Sequence, residues 1–193
     1  LATEALLQFG SEAQKAEYLP RLAAGEIIGT LALAEGRGAP TADNIRCQVE
    51  GGQITGEKLP VPDGDVADLA VVVAREGDAC NMYLVELGAD GVDCQGVESF
   101  DPTRSQGKLS FTGASANLLG EAGQGWSQLQ RLFDRAAVLF AFEQAGGAQA
   151  ALDMGREYAV GRYAFGRSIA SFQAIKHKLA DMYIASTLAH SNC

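Results

Sequence analysis

The sequence predicts an α+β, multidomain fold. It reads as the tail of an N-terminal helical domain over residues 1–28, then an antiparallel β-barrel or sandwich domain over 29–119. The start of a C-terminal helical-bundle domain, truncated, follows over 120–193. Three observations carry this. A capped helical segment precedes Gly25, a series of short β-like runs separated by turn residues follows it, and a long Ala- and Leu-rich helical stretch begins after Gly125.

Each element has a local cause. Ser11 followed by Gln14 forms a capping box, Ala13, Ala16 and Tyr18 continue the turn, and Pro20 lies near the end. The β-like runs are Gly29–Ala34, Ile45–Val49, Gln53–Thr55, Leu69–Ala74, Met82–Leu87, Val92–Val97 and Leu109–Phe111. Gly51-Gly52, Asp63-Gly64, Glu76-Gly77 and Asp90-Gly91 break them. This spacing predicts a sandwich or barrel, not a βαβ sheet. From Trp126 to Val160, Leu129, Leu132, Phe133, Ala136, Leu139 and Phe140 recur at three- and four-residue steps, the stripe of a long helix. Gly146-Gly147 within it predicts close approach of a neighbouring helix. A turn at Phe165-Gly166 follows, with Ser168 expected to cap a second helix through Ile175, Leu179, Met182 and Ile184. Phe133, Phe140, Phe142 and Met182 read as core.

Composition excludes several classes. With 47% hydrophobic and 20% charged residues, the chain has an ordinary globular profile and can bury a core. No apolar run is long enough to span a bilayer. The net charge is -9; Lys and Arg against Asp and Glu count 10 to 21 over residues 1–149 and 5 to 3 over 150–193. An acidic body argues against nucleic acid or an anionic membrane as partner, while the basic excess at the C-terminal end suits a phosphate-bearing small molecule. Cys47, Cys80, Cys94 and Cys193 form no C-x-x-C pair, so no zinc site or disulfide framework is expected. A reducing cytoplasm is the simplest compartment. The chain opens Leu1-Ala-Thr-Glu without Met or a signal-peptide pattern, and Cys193 interrupts a helical pattern, so a longer parent protein is expected.

The segment Arg162 to Met182 carries the most chemistry. Alone, Arg162, Phe165 and Gln173 also fit a plain helical hairpin, with Gly166 as a C-cap and both polar side chains in water. The spacing Tyr158-x-x-x-Arg162-x-x-Phe165-Gly166, then Phe172-Gln173 and Leu179-Ala180-Asp181-Met182, resembles the acyl-CoA dehydrogenase signature. Ala13 to Glu26, Gly56-Glu57-Lys58 through Asp68, and Leu118-Leu119-Gly120 to Gly125 extend the resemblance over nearly the whole chain, in the family's own order of helix, β and helix. The resemblance implies FAD as cofactor, an acyl-CoA substrate, an electron-transfer flavoprotein or similar acceptor, and a homo- or hetero-oligomer built as a dimer of dimers. It implies that Arg162 pairs with the FAD pyrophosphate and that Phe165 and Gln173 line the cofactor of the partner subunit. A guanidinium fork suits a diphosphate better than a lysine would. Leu33 and Glu35 are further cofactor-binding candidates.

The departures lie in the flavin contacts of the chain's own subunit. Where the family has Thr-Glu-Pro-Gly-Ala-Gly-Ser, this chain has Ala34-Glu35-Gly36-Arg37-Gly38-Ala39-Pro40, so Ala34 and Pro40 replace hydroxyl donors. Where the family has Trp-Ile-Thr-Asn, this chain has Pro60-Val61-Pro62-Asp63, a pair of prolines that fits an edge or loop position. The family's catalytic glutamate is expected beyond Cys193. Its alternative position on the long helix is Ala136, followed by Ala137 instead of arginine, and Asp134, Arg135 and Glu143 are rotated off that spot. His177, between two lysines, reads as a surface residue, and Asp101-Pro-Thr-Arg104 as a structural turn.

Two functional classes follow. One is a dehydrogenase subunit that forms a trans-2-enoyl thioester and donates a flavin half-site to a partner. The other is a catalytically silent structural subunit, with a different flavin-dependent oxidation on the same fold as a third reading.

Overall fold

A computed structural model describes residues 1–101 and 103–193 of the chain. Residues 1–132 form one compact unit and residues 133–193 another.

The first unit opens with α1 (Ala2–Phe9) and α2 (Glu12–Ala23). The predicted box caps α2: Gln14 N donates to Ser11 Oγ at 3.2 Å, and Ser11 N donates to Gln14 Oε1 at 2.9 Å. Eight strands follow: β1 (Gly29–Ala32), β2 (Gln48–Glu50), β3 (Gln53–Pro62), β4 (Leu69–Glu76), β5 (Ala79–Glu86), β6 (Val92–Val97), β7 (Gln106–Ser115) and β8 (Asn117–Leu119). Their order is β6-β7-β3-β2-β4-β5-β8, with β1 also paired to β4. Both β1 and β2 run parallel to β4, and the other pairs are antiparallel. Among the described residues β6 and β8 do not pair with each other. The α+β class therefore holds, while the sheet is open and mixed, so that barrel describes it loosely. A parallel pairing needs a long crossover, which the segment between β1 and β4 supplies.

The core lies on both faces of β4 and β5. Leu69, Val71, Val73, Met82 and Leu84 pack with Ala2, Leu6, Leu129 and Leu132. Ala70, Val72, Tyr83 and Val85 pack with Ile54, Val61, Leu109 and Phe111 on the other side. Burial on both faces explains why Leu69–Ala74 is an unbroken apolar run.

Several boundaries differ from the sequence expectation. The third strand runs to Pro62 rather than Thr55, the seventh from Gln106 to Ser115, and a short eighth was not expected. Pairing with partner strands extends these elements past Gly56, Gly107 and Gly113, beyond the runs that local composition marks. As a whole β3 lies between β2 and β7, but at the prolines only β7 pairs with it as a strand, which is the edge-like setting expected. They are accommodated because β2 pairs only with residues 53–55, and the β3–β7 register shifts between Lys58 and Val61. Of the Asp101–Arg104 turn, Pro102 lies outside the described residues; Thr103 donates to Asp101 Oδ1 from its N at 2.9 Å and its Oγ1 at 2.6 Å.

The long helix, α3 (Gly125–Gly161), spans 37 residues. In the second unit it is followed by β9 (Tyr163–Ala164), β10 (Arg167–Ser168), a 3-10 turn (Ile169–Ser171) and α4 (Gln173–Asn192). Ser168 does not cap α4. Its Oγ donates instead to Ala159 O at 2.8 Å and Val160 O at 2.9 Å, closing the end of α3, because the intervening 3-10 turn delays the next helix to Gln173. Phe133, Phe140, Phe142 and Met182 are exposed rather than core. The buried positions of α3 beyond Leu132 are Ala136, Ala145, Leu152 and Ala159, mostly small residues on another stripe. No neighbour approaches Gly146 or Gly147 within contact distance of a Cβ, so the expected helix contact there is absent among the described residues. Among these residues no helix is long and apolar enough to cross a membrane.

Candidate functional site

Two groups of candidate residues lie in different units. In the first, the segment after β1 runs beside β3. Leu59 N donates to Ala34 O at 2.8 Å, and Gly36 N donates to Leu59 O at 2.7 Å. This parallel bridge aims the Glu35 side chain inward, where Lys58 Nζ donates to it at 2.7 Å and Cys47 N at 3.0 Å, both to Oε1. Oε2 accepts from Arg46 N at 2.7 Å, and Arg46 Nη2 donates to the Glu35 carbonyl at 2.7 Å. Lys58 Nζ also donates to Leu33 O at 3.1 Å. Leu33 itself is partly buried against the core.

The electrostatics follow from this geometry. The side chain of Lys58 has no exposed surface and that of Glu35 has 8%. Burial works against the Glu35 charge, but hydrogen bonds from Lys58 and from the backbone of Cys47 and Arg46 outweigh it and hold the carboxyl below its ordinary value. Burial pushes the Cys47 thiol up to about 11. Glu35 is thus an anchor for the loop beyond it, with its acceptor positions engaged within the chain.

That loop borders a cavity of about 360 Å³ lined by Gly36, Arg37, Gly38, Pro40, Asn44 and Arg46, among others. Gly36 and Gly38 have φ of 102° and 99°, a region that favours glycine. Asn44 closes the loop on itself, accepting from Thr41 N at 2.8 Å and donating to Ala39 O at 2.9 Å. Ala34 and Pro40 bring no side-chain donor to it.

In the second unit, Arg162 ends α3's turn, with its N donating to Tyr158 O and its O accepting from Ile169 N, both at 2.8 Å. The backbone is fixed at both ends while the guanidinium is exposed. Phe165 and Gly166 form a two-residue turn with φ of 54° and 77°, the left-handed pair a tight hairpin requires. Phe165 is 96% exposed and meets Phe172 edge-on at 6.2 Å. Arg167 lies over the Phe172 ring at 4.1 Å. Gln173, the first residue of α4, is exposed, with its Nε2 3.2 Å from Nε2 of the exposed His177. Arg162, Phe165 and Gln173 therefore share one hairpin and the helix start after it, without a direct hydrogen bond or ring contact between them among the described residues. On the long helix Ala136 is buried, whereas Ala137, Asp134 and Glu143 are exposed.

Sequence reasoning missed two residues. Lys58 was legible from strand alternation, since Ile54, Gly56 and Lys58 share a face of β3. Arg167 on Phe172 had no local signal, because the hairpin and 3-10 turn bring them together. Among the described residues no group of three His, Cys, Asp or Glu side chains could hold a metal.

Comparison with known proteins agrees with the geometry. Residues 1–26 match the family description "Acyl-CoA dehydrogenase, N-terminal domain", and residues 123–193 match "Acyl-CoA dehydrogenase, C-terminal domain". Mitochondrial isovaleryl-CoA dehydrogenase of Oryza sativa subsp. japonica is 33% identical over 198 residues, covering 95% of this chain and 48% of that protein. The chain spans about half the length of the curated relatives it matches. The crystal structure of acyl-CoA dehydrogenase from Geobacillus kaustophilus superposes with a TM-score of 0.90 at 26% identity, covering 99% of this chain and 55% of that one. The enzyme from Bacillus anthracis, solved in complex with FAD, gives 0.89 at 27% identity, covering 98% and 34%. With domain matches at both ends and one fold over almost its whole length, the chain belongs to the acyl-CoA dehydrogenase family.

Proposed function

We propose that this chain is a subunit of an FAD-dependent acyl-CoA dehydrogenase that oxidises an acyl-CoA thioester to its trans-2-enoyl product. Electrons then pass to an electron-transfer flavoprotein or a similar acceptor. FAD, when bound, supplies the hydride acceptor. The domains are the tail of a helical domain (1–28), a β domain (29–119) and the start of a helical bundle (120–193), in a cytoplasmic oligomer.

The chain's residues divide into a half that fits FAD and a half that does not. Arg162 presents an exposed guanidinium for a diphosphate, Phe165 an exposed ring for a flat heterocycle, and Gln173 an amide on a helix start. Around Ala34–Pro40 the fit fails: the hydroxyl donors are absent, Glu35 is engaged by Lys58, and Gly36 N is engaged by Leu59 O. This contrast is the observation that carries the reading. The Arg162 hairpin serves a cofactor seated mainly in a neighbouring subunit, and no step of the reaction is assigned to the chain's own loop.

The visible spectrum of the purified full-length protein tests this. Alone, it is expected to carry little flavin, and with a partner subunit the complex is expected to hold FAD that Arg162→Ala reduces. Activity is read with a panel of acyl-CoA thioesters and an artificial electron acceptor. Stoichiometric FAD on the lone chain, with full activity, overturns the reading. A catalytically silent subunit is the second reading, favoured by the loss of hydroxyl donors at Ala34 and Pro40. It requires that no flavin is bound even with the partner present.

A further inference from the structure

We propose that a second cavity, of about 400 Å³ and independent of the flavin reading, binds a small amino-carboxylate such as a free α-amino acid. It lies between the α1–α2 turn, the segment after β8 and the first turns of α3. Phe9, Ser11, Glu121, Gln128 and Arg131 line it, and none of them is a flavin candidate.

Three unused groups share this cavity. Gln128 is 7% exposed, yet its Oε1 has no hydrogen-bond partner. A buried amide oxygen left unpaired is costly, and native chains rarely keep one without a use. The guanidinium of Arg131 lies over the Phe9 ring, 5.5 Å from its centroid, and forms no ion pair among the described residues. Glu121 is likewise without a cationic partner. The other polar groups of the same wall are satisfied: Gln14 accepts from Ser11 N and donates to Leu118 O, and Gln8 donates to Glu4 at 2.8 Å. Two unpaired surface charges alone would be ordinary, but a buried, unpaired acceptor beside them is not.

The charges define the ligand. Arg131 takes a carboxylate and Glu121 an ammonium group, and the Gln128 amide adds a neutral hydrogen bond. Gly120, with φ of 86°, makes room for that amide, since a Cβ there would collide with it. Gln128 Oε1 is shut off from solvent against Gly120. The terminal torsion of glutamine is soft, so the amide turns to meet an arriving N–H donor.

Thermal unfolding and calorimetric titration of the full-length protein test the proposal, using the free α-amino acids one at a time. Acetate and ethylammonium serve as half-ligand probes. At least one amino acid is expected to raise the unfolding midpoint saturably at millimolar concentration, with neither half-ligand doing so. Arg131→Gln and Glu121→Gln are each expected to weaken that binding by about tenfold or more, and Gln128→Leu to abolish the response. If Arg131→Gln fails to fold for want of its Phe9 contact, the exposed Glu121→Gln carries the test. No response to any amino acid overturns the site, as does a response that survives Glu121→Gln and Gln128→Leu.

Discussion

Lys58 Nζ sits 2.7 Å from Glu35 Oε1 with no exposed surface, and its removal would leave the buried carboxylate with only the exposed Arg46 guanidinium, 3.5 Å from Oε2, as countercharge. Breaking such a pair costs about 3–5 kcal/mol. Lys58→Met is expected to lose stability on that scale in denaturant titration, and Glu35→Gln added to it to recover part of the loss. The pair also has a pH signature. The Glu35 carboxyl is held below its ordinary 4.5, so its contribution is complete above that value and is lost as pH falls through the lower, folded value. The acid limb of stability against pH should therefore be shallower in Lys58→Met than in the parent chain. Identical acid limbs would show that the pair does not act through ionisation. Alternation along β3 places Lys58 inward from sequence alone. Its partner was not legible, because Glu35 is 23 residues away and is brought to it by a parallel bridge.

At the scale of elements, the 163–168 hairpin depends on two left-handed residues. Phe165 has φ of 54° and Gly166 of 77°. A β-branched residue in that region is strained by about 1–2 kcal/mol, whereas asparagine is tolerated better. Gly166→Val is expected to lower the unfolding midpoint and flavin retention of the assembled enzyme more than Gly166→Asn, with Arg162 untouched in both. Equal retention in the two variants would count against the proposal that the hairpin presents Arg162 and Phe165 to a flavin. The Phe-Gly pair was legible as a turn and the long helix as a helix, since both rest on local chemistry. The role of Ser168 was not: a serine before a helix reads as its cap, and only the 3-10 turn redirects its hydroxyl to the end of α3.

For the whole molecule, the exposed apolar side chains on α3 are the decisive feature. Val138, Leu139, Phe140, Phe142, Met154 and Tyr158 are each between 43% and 71% exposed. Scattered exposed apolar residues are normal, but this many on one helix mark a contact surface, and the proposed subunit assembly would cover it. Replacing Phe140 and Phe142 together by Asp is expected to reduce the mass of the full-length protein in sedimentation velocity without unfolding its sheet. An unchanged mass would place the subunit contact elsewhere.

Local signals sufficed for the order of helix, sheet and helix, the capping box at Ser11, the strand over Leu69–Ala74 and the turn at Phe165-Gly166. Each is written in spacing or in the torsional preference of a few neighbours. Tertiary structure alone decided that the sheet stays open with two parallel pairings and that β3 runs on through its prolines. It also decided that Glu35 is an anchor, that the aromatic side chains of α3 face outward, and that Gln128 is left unpaired. These depend on contacts between residues far apart in the chain, where pairing and burial outweigh local preference.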